Sequence, residues 1–221
     1  MEKIDLLLPM KGHSERVPNK NLKNFAGAPL YHAILKKIND SRRINKIYVN
    51  TDSEEIRVDV KKNFERVVII DRPDSLLGDN VSMNRIIEHD LSKIDGEHFI
   101  QTHSTNPLLN TATIDNAINL YFRNIENYDS MFSVTKLQTR LYKANGEPLN
   151  HNPDELKRTQ ELPPVYEENS NFYIFSKESF QKSGSRRIGL NPYLFSTGQL
   201  ESIDIDEPDD FKLAELLYQN F

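Results

Sequence analysis

In the first half of the chain, short β-rich apolar runs alternate with stretches whose apolar residues recur at helical spacing. The runs Ile4–Leu8, Lys46–Asn50, Val67–Ile70, His98–Gln101 and Met131–Val134 predict strands. Between them, Tyr31–Ile38, Glu54–Asn63, Met83–Ile94 and Thr113–Ile125 predict amphipathic helices; in the last, Ile114, Ala117, Ile118 and Tyr121 return to one face. Strand and helix in strict alternation imply βαβ units, hence an α/β fold with a mostly parallel sheet covered by helices.

The second half loses that rhythm. Leu141–Tyr166 is polar and carries Pro148, Pro153, Pro163 and Pro164, which predicts a long irregular excursion. Excursions of that length inside a compact domain are usually functional or disordered. A strand at Asn171–Phe175, a short helix at Lys177–Lys182, a strand at Glu201–Asp204 and a closing helix at Asp209–Tyr218 complete the prediction. There is no internal repeat, and 221 residues fit a single domain, 1–221, large enough to bury its own core.

Charge and composition narrow the function. With 28 Lys+Arg against 33 Asp+Glu the net charge is −5, so the surface lacks the basic field that nucleic-acid binding needs. The absence of cysteine excludes disulfides, thiolate chemistry and Cys-ligated zinc, and suits a reducing compartment. The apolar run that ends at Pro9 is too short and too acidic for a signal peptide, and no stretch reaches membrane-spanning length. A soluble, cytoplasmic protein is expected.

The candidate chemistry begins where the first predicted strand ends, the position at which open α/β sheets bind ligands. Pro9–Leu22 carries Lys11, Arg16 and Lys20 around Gly12, so cationic side chains and backbone N–H groups can converge on an oligophosphate. No Gly-Lys-Ser/Thr follows at Walker spacing. A solvated basic loop is the plainer alternative. After the second strand, Asn50-Thr51-Asp52-Ser53-Glu54-Glu55 reads as a helix start, with Asp52 or Ser53 as cap and the glutamates favourable to the dipole. Arg72-Pro73 and the following Leu77, Asp79 and Asn80 form a second polar turn, and Gln101–Leu108 a third, which contains His103 and Thr105. Near the end, Asp204 and Asp206 would project to one side if the strand continued, and two such carboxylates suit Mg²⁺. Asp209 and Asp210 are better read as favourable charges at the start of the closing helix, with Pro208 in its first turn.

Together these segments resemble the acylneuraminate cytidylyltransferase (CMP-N-acetylneuraminate synthetase) family. The first loop matches the family's pattern at Pro9, Gly12, Ser14, Pro18, Lys20 and Asn21, and the register continues through Gly27, Pro29 and Leu30. Arg158-Thr159-Gln160-Glu161-Leu162-Pro163-Pro164-Val165-Tyr166, Asn169–Ile174 and Asp204-Ile205-Asp206 resemble three further family motifs. The resemblance implies a Rossmann-like nucleotide-diphospho-sugar transferase fold. It implies transfer of CMP from CTP to an acidic sugar, with Mg²⁺ as cofactor, pyrophosphate as second product and a homodimer as the working form. By the same resemblance, Lys11, Lys20 and Asp204 are catalytic; Lys11, Gly12, Ser14, Asn21, Arg72 and Asn80 bind nucleotide; and Asp204 and Asp206 hold the metal. His103, Thr105, Arg140, Arg158 and Asn169 would contact the acceptor. An excursion of about residues 136–175 would serve dimerisation, with Lys136, Arg140 and Arg158 reaching the partner's site.

Four positions depart from the pattern. Lys11 stands in place of arginine and gives up the bidentate fork; His13 and Ser170 replace glycines; and His103 aligns with the nucleotide and sugar contact. These departures leave room for another anionic acceptor, such as an octulosonic acid or a phosphonate, or for a family member that binds nucleotide without turning it over.

Overall fold

The protein is described here by a computed structural model, which covers residues 2–220. Seven strands form one sheet: β1 (Ile4–Met10), β4 (Ile44–Thr51), β5 (Val67–Asp71), β6 (His98–Thr102), β7 (Ser130–Leu137), β8 (Val165–Ser176) and β9 (Pro192–Ser196). A two-stranded ribbon, β2 (Asn24–Phe25) with β3 (Ala28–Pro29), lies apart from it. The order across the sheet is β5-β4-β1-β6-β8-β7-β9, with parallel pairing except where β8 runs against β6 and β7. Every residue of β1 is buried, which is why its sequence is a continuous apolar run and not an alternating one.

Six helices cover the sheet: α1 (Leu30–Asp40), α2 (Glu54–Asn63), α3 (Met83–Leu91), α4 (Thr111–Arg123), α5 (Lys177–Lys182) and α6 (Pro208–Asn220). On one face Tyr31, Ile34 and Ile38 of α1, Ile56 and Val60 of α2 and Ile114 and Ile118 of α4 pack with Leu6, Leu8 and Val49. On the other, Ile87 and Leu91 of α3 and Phe180 of α5 pack with Leu7, Phe99, Tyr173 and Phe175. A third cluster positions the site: Phe211 and Ala214 of α6 pack with Ile205 against Val17 and Phe25, so the closing helix is seated on the segment that follows β1.

The predicted helices and the first-half strands are all present, most of them within a few residues. One strand prediction needs correction. Glu201–Asp204 is turn and irregular backbone, and its one deeply buried neighbour, Ile205, packs against α6. The sheet instead ends on β9, which pairs with β7 in parallel and which the sequence does not advertise, since only part of each residue is buried. Residues 136–175 are also too wide a span for the excursion. Irregular backbone runs only from 138 to 164, and the remainder belongs to β7 and β8.

Candidate active site

The loop after β1 is held from three sides. The Gly12 N–H donates to Asp52 Oδ1 at 2.7 Å, while Ser53, the neighbour, caps α2 by accepting from the Ile56 N–H. The two residues read as alternative caps thus divide the work: one starts the helix and the other anchors the loop. A Cβ on Gly12 would lie 2.9 Å from Ser53 Cβ, so the close approach requires glycine. Asn21 Nδ2 donates to the Lys11 carbonyl at 2.8 Å, and Asn21 Oδ1 accepts from Ser104 Oγ at 2.6 Å, which ties the loop to the end of β6. Arg72 donates to the Met10 carbonyl at 3.2 Å and to Asn50 at both its carbonyl (3.0 Å) and its side chain (2.7 Å).

Asn21 and Arg72, expected on the nucleotide, therefore have these polar atoms directed at loop and strand. Their contacts fix the backbone of the loop after β1. Burial of the Arg72 guanidinium lowers its pKa from the usual arginine range, partly offset by Asp52 and Asp90. Ser14 is buried and Asn80 is exposed on the turn after Leu76. Beside Asn80, Asp79 pairs with Lys11, and that contact holds the aspartate below the usual carboxylate range.

The other wall of the site comes from the far end of the chain. Arg16 Nη2 is 2.6 Å from Asp206 Oδ1, and the buried Lys20 donates to the Ile205 carbonyl with its Nζ 3.7 Å from Asp206. The segment is fixed by backbone as well: the Ile205 N–H donates to the Thr105 carbonyl at 2.9 Å. Asp210 Oδ2 accepts from the N–H groups of Asp206 and Glu207 at 3.1 and 2.7 Å, as expected of an acid at the start of α6.

Period-two geometry does not apply to Asp204 and Asp206, since no strand runs through them; on this irregular backbone Asp206 acts on Asp204 as a nearby like charge. Burial raises the Asp204 pKa, Asp206 raises it further, and Thr105 and Lys20 act the other way. Thr105 is thus a neighbour of the acid. Asp204 Oδ1 is buried without a hydrogen-bond partner, an arrangement that costs free energy unless a cation or donor arrives. That orphaned oxygen suits a hard divalent cation. Among the described residues no group of three or more His, Asp or Glu side chains is placed to hold a metal. The remaining ligands would have to be water and phosphate oxygens, which is the habit of Mg²⁺.

A third group gathers where the carboxyl end of β6 lies against β8. Gln101 and Tyr173 are paired neighbours across the antiparallel ladder. Arg187, from the segment between α5 and β9, lays its guanidinium 3.9 Å from the Tyr173 ring centroid and donates to Gln101 Oε1 at 2.7 Å. His103 Nε2 lies 3.3 Å from Arg187 Nη1 and 3.2 Å from Gln101 Nε2. With two donors facing it, that nitrogen is an acceptor. Burial and the adjacent Arg187 charge push the His103 pKa down to about 3, so the ring is neutral. The Tyr173 hydroxyl donates to Glu168 and lies 3.2 Å from Ser170 Oγ.

Three of the residues expected at the acceptor take other positions within the chain. Asn169 Nδ2 is enclosed by the hydroxyls of Thr197, Thr135 and Ser202 at 2.7, 3.1 and 3.1 Å. Arg140 donates to the Lys157 carbonyl, and Arg158 pairs with Glu161 at 2.7 Å, both contacts lying inside the excursion. Lys136 is exposed on β7. Gln101, Tyr173 and Arg187 were not singled out from sequence. Arg187 is brought to Gln101 and Tyr173 only by the fold.

Cations at the carboxyl end of a central parallel strand thus stand opposite a pair of acids on a mostly parallel α/β sheet. A family model described as Cytidylyltransferase matches residues 6–221, and the chain belongs to that family. It is 28% identical over 219 residues to N-acylneuraminate cytidylyltransferase A of Danio rerio, covering 96% of this chain and 50% of the relative. It is 22% identical over 226 residues to the pseudaminic acid cytidylyltransferase of Campylobacter jejuni, covering 96% of this chain and 95% of that one. The chain thus spans about half the length of the N-acylneuraminate enzymes it matches and nearly all of the Campylobacter one. In structure it is similar to a CMP:2-keto-3-deoxy-manno-octonic acid synthetase complexed with CTP, at a TM-score of 0.70 and 12% identity over the full length of both chains. It is also similar to a 4-diphosphocytidyl-2C-methyl-D-erythritol synthase from Anaerococcus prevotii, at 0.67 and 11% over 99% of each. These two likenesses establish the fold.

Proposed function

We propose that the protein transfers CMP from CTP to an acidic sugar of the sialic-acid-like nonulosonic class, releasing pyrophosphate. The observation that carries this reading is the convergence of Arg16 and Lys20 on the Asp206 segment, which places cations and carboxylates within a few ångströms of each other at the end of β1. The named activities of the Danio rerio and Campylobacter jejuni relatives support the choice of CTP and of a nine-carbon sugar acid.

In the reaction the acceptor hydroxyl attacks the α-phosphorus of CTP in line, and pyrophosphate leaves from the opposite side. Lys11, Arg16 and Lys20 supply positive charge to the phosphoryl oxygens, and the Gly12 backbone lets the loop approach them closely. Each cation sits on a carboxylate or carbonyl in the ligand-free protein, so phosphate binding exchanges one partner for another without new folding. Asp204 and Asp206 would hold Mg²⁺, which when bound neutralises charge on the phosphates.

The excursion exposes Tyr142, Leu149 and Leu156, and we assign it to a homodimer interface in which Arg140 and Arg158 face the partner. No helix among the described residues is long and apolar enough to cross a membrane, and the cytoplasm, where CTP is made, is the proposed location. Incubating the protein with CTP, Mg²⁺ and each of N-acetylneuraminic, pseudaminic and 3-deoxy-manno-octulosonic acids, and measuring pyrophosphate, tests the reading. Turnover of the octulosonic acid alone would move the assignment to that acceptor. CTP binding without turnover of any acid would instead make the chain a nucleotide-binding relative.

A further inference from the structure

Arg187 is a partly buried cation without a counter-ion. Among the described residues its guanidinium meets the amide oxygen of Gln101, the neutral His103 ring and the face of Tyr173, and it makes no ion pair. Glu168 acts on it only from beyond ion-pair distance, with its carboxylate accepting from the Tyr173 hydroxyl. A guanidinium in this setting loses much of its hydration and regains little of it from neutral partners. Its fork geometry is matched by a carboxylate, which would accept two parallel hydrogen bonds from it. The cluster sits where β6 runs out toward His103, and two residues further along the chain Thr105 accepts from the Ile205 N–H and bonds the Asp204 carboxyl, so one short segment joins the cluster to the acid pair.

We propose that Arg187 is the acceptor-recognition residue of this enzyme: it binds the carboxylate of the sugar acid from within the same chain, with Tyr173 and Gln101 fixing its plane. This rests on the cytidylyltransferase reading and deepens it. The cation that selects an acid over a neutral sugar then comes from the segment between α5 and β9, whereas Arg140 and Arg158 stay with the excursion. His103 has a supporting part. Because Nε2 accepts from Arg187, the ring proton is on Nδ1, and the imidazole keeps the guanidinium neutral-sided without competing for its charge.

The test is steady-state kinetics on the full chain with CTP, Mg²⁺ and whichever of the three acids the wild type turns over, alongside the methyl ester of that acid. Arg187→Gln should raise the KM for the acid by about tenfold to a hundredfold, the scale of a lost charge-assisted pair, and leave the KM for CTP within about twofold. Arg187→Lys should recover part of the loss. The wild type should prefer the acid to its ester, and Arg187→Gln should erase that preference, a result that a merely structural role would not give. An unchanged acceptor KM in a folded Arg187→Gln protein overturns the inference and leaves the cytidylyltransferase reading standing. Equal losses toward CTP and acid, with retained preference for the charged form, overturn it as well. A wild type inactive on every acid removes both.

Discussion

Arg16 and Asp206 lie 190 positions apart in the chain, yet Nη2 of one is 2.6 Å from Oδ1 of the other. Both side chains are about half exposed, at 56% and 48%, so the pair is screened by solvent and adds little to stability. Its consequence is electrostatic: the guanidinium is held in place at the site proposed for the phosphates. Arg16→Ala should therefore lower kcat/KM for CTP by about a hundredfold. Thermal unfolding should move by less than about 3 °C. Wild-type kinetics from the variant would remove Arg16 from the site, and a large loss of stability would make it structural.

Gly12 offers a sharper probe of the same loop. A methyl group there would meet Ser53 Cβ at 2.9 Å, and Ser53 cannot withdraw because it caps α2. The loop must give way, and with it the Gly12 N–H bond to Asp52. Gly12→Ala should weaken CTP binding by about tenfold in calorimetry, at a stability cost of about 1 kcal/mol. The paired change Gly12→Ala with Ser53→Gly should regain binding, since it removes the clashing atom. Failure of the second change to help would show that the glycine serves something other than close packing.

What the sequence disclosed follows from which signals are local. The first four parallel strands and all six helices are written in apolar period and in caps such as Ser53 and Asn110, so their positions could be read directly. The first loop and Asp204-Ile205-Asp206 were singled out mainly by their resemblance to family motifs, since charged loops and acidic runs are common by themselves. β9 was not, because its partly buried, Pro-led sequence has no clear alternation. Nor were the partners of Asn21 and Arg72, which depend on how loops from three strands meet. Arg187 was invisible for the same reason: its meaning comes from Tyr173 and Gln101, which are distant in the chain.

Asp204 pits stability against function. Its carboxylate is largely buried, one oxygen has no partner, and neighbouring Asp206 adds like charge. Asp204→Asn removes the charge and should stabilise the metal-free protein by about 1 kcal/mol, a shift of roughly 3 °C in Tm. The same change should reduce Mg²⁺-dependent pyrophosphate release by at least about a hundredfold. Differential scanning calorimetry and a coupled pyrophosphate assay on one preparation measure both. A variant that is less stable and still active would contradict the assignment on each count.

Asp90 gives a pH dependence whose sign is set by burial. It lies beneath the loop, accepts from Asn50 Nδ2, keeps Oδ2 without a partner and has its pKa raised to about 6, chiefly because burial penalises the charged form. His89 and Arg72 are the charged or titratable neighbours that oppose the shift, and Asn50 links Asp90 to Arg72. In the unfolded chain the carboxyl returns to an ordinary value near 4. Between about pH 4 and pH 6 the folded protein therefore holds a proton that the unfolded chain has released, and stability falls as pH rises through that window. Above it the whole penalty is present, on the order of 3 kcal/mol. Asp90→Asn keeps an acceptor for Asn50 and has no charge to bury, so it should be more stable than wild type at pH 7 and nearly equal to it at pH 4. Urea unfolding at the two pH values measures the difference. A stability gap that is the same at both would mean that Asp90 is charged and well compensated in the folded state.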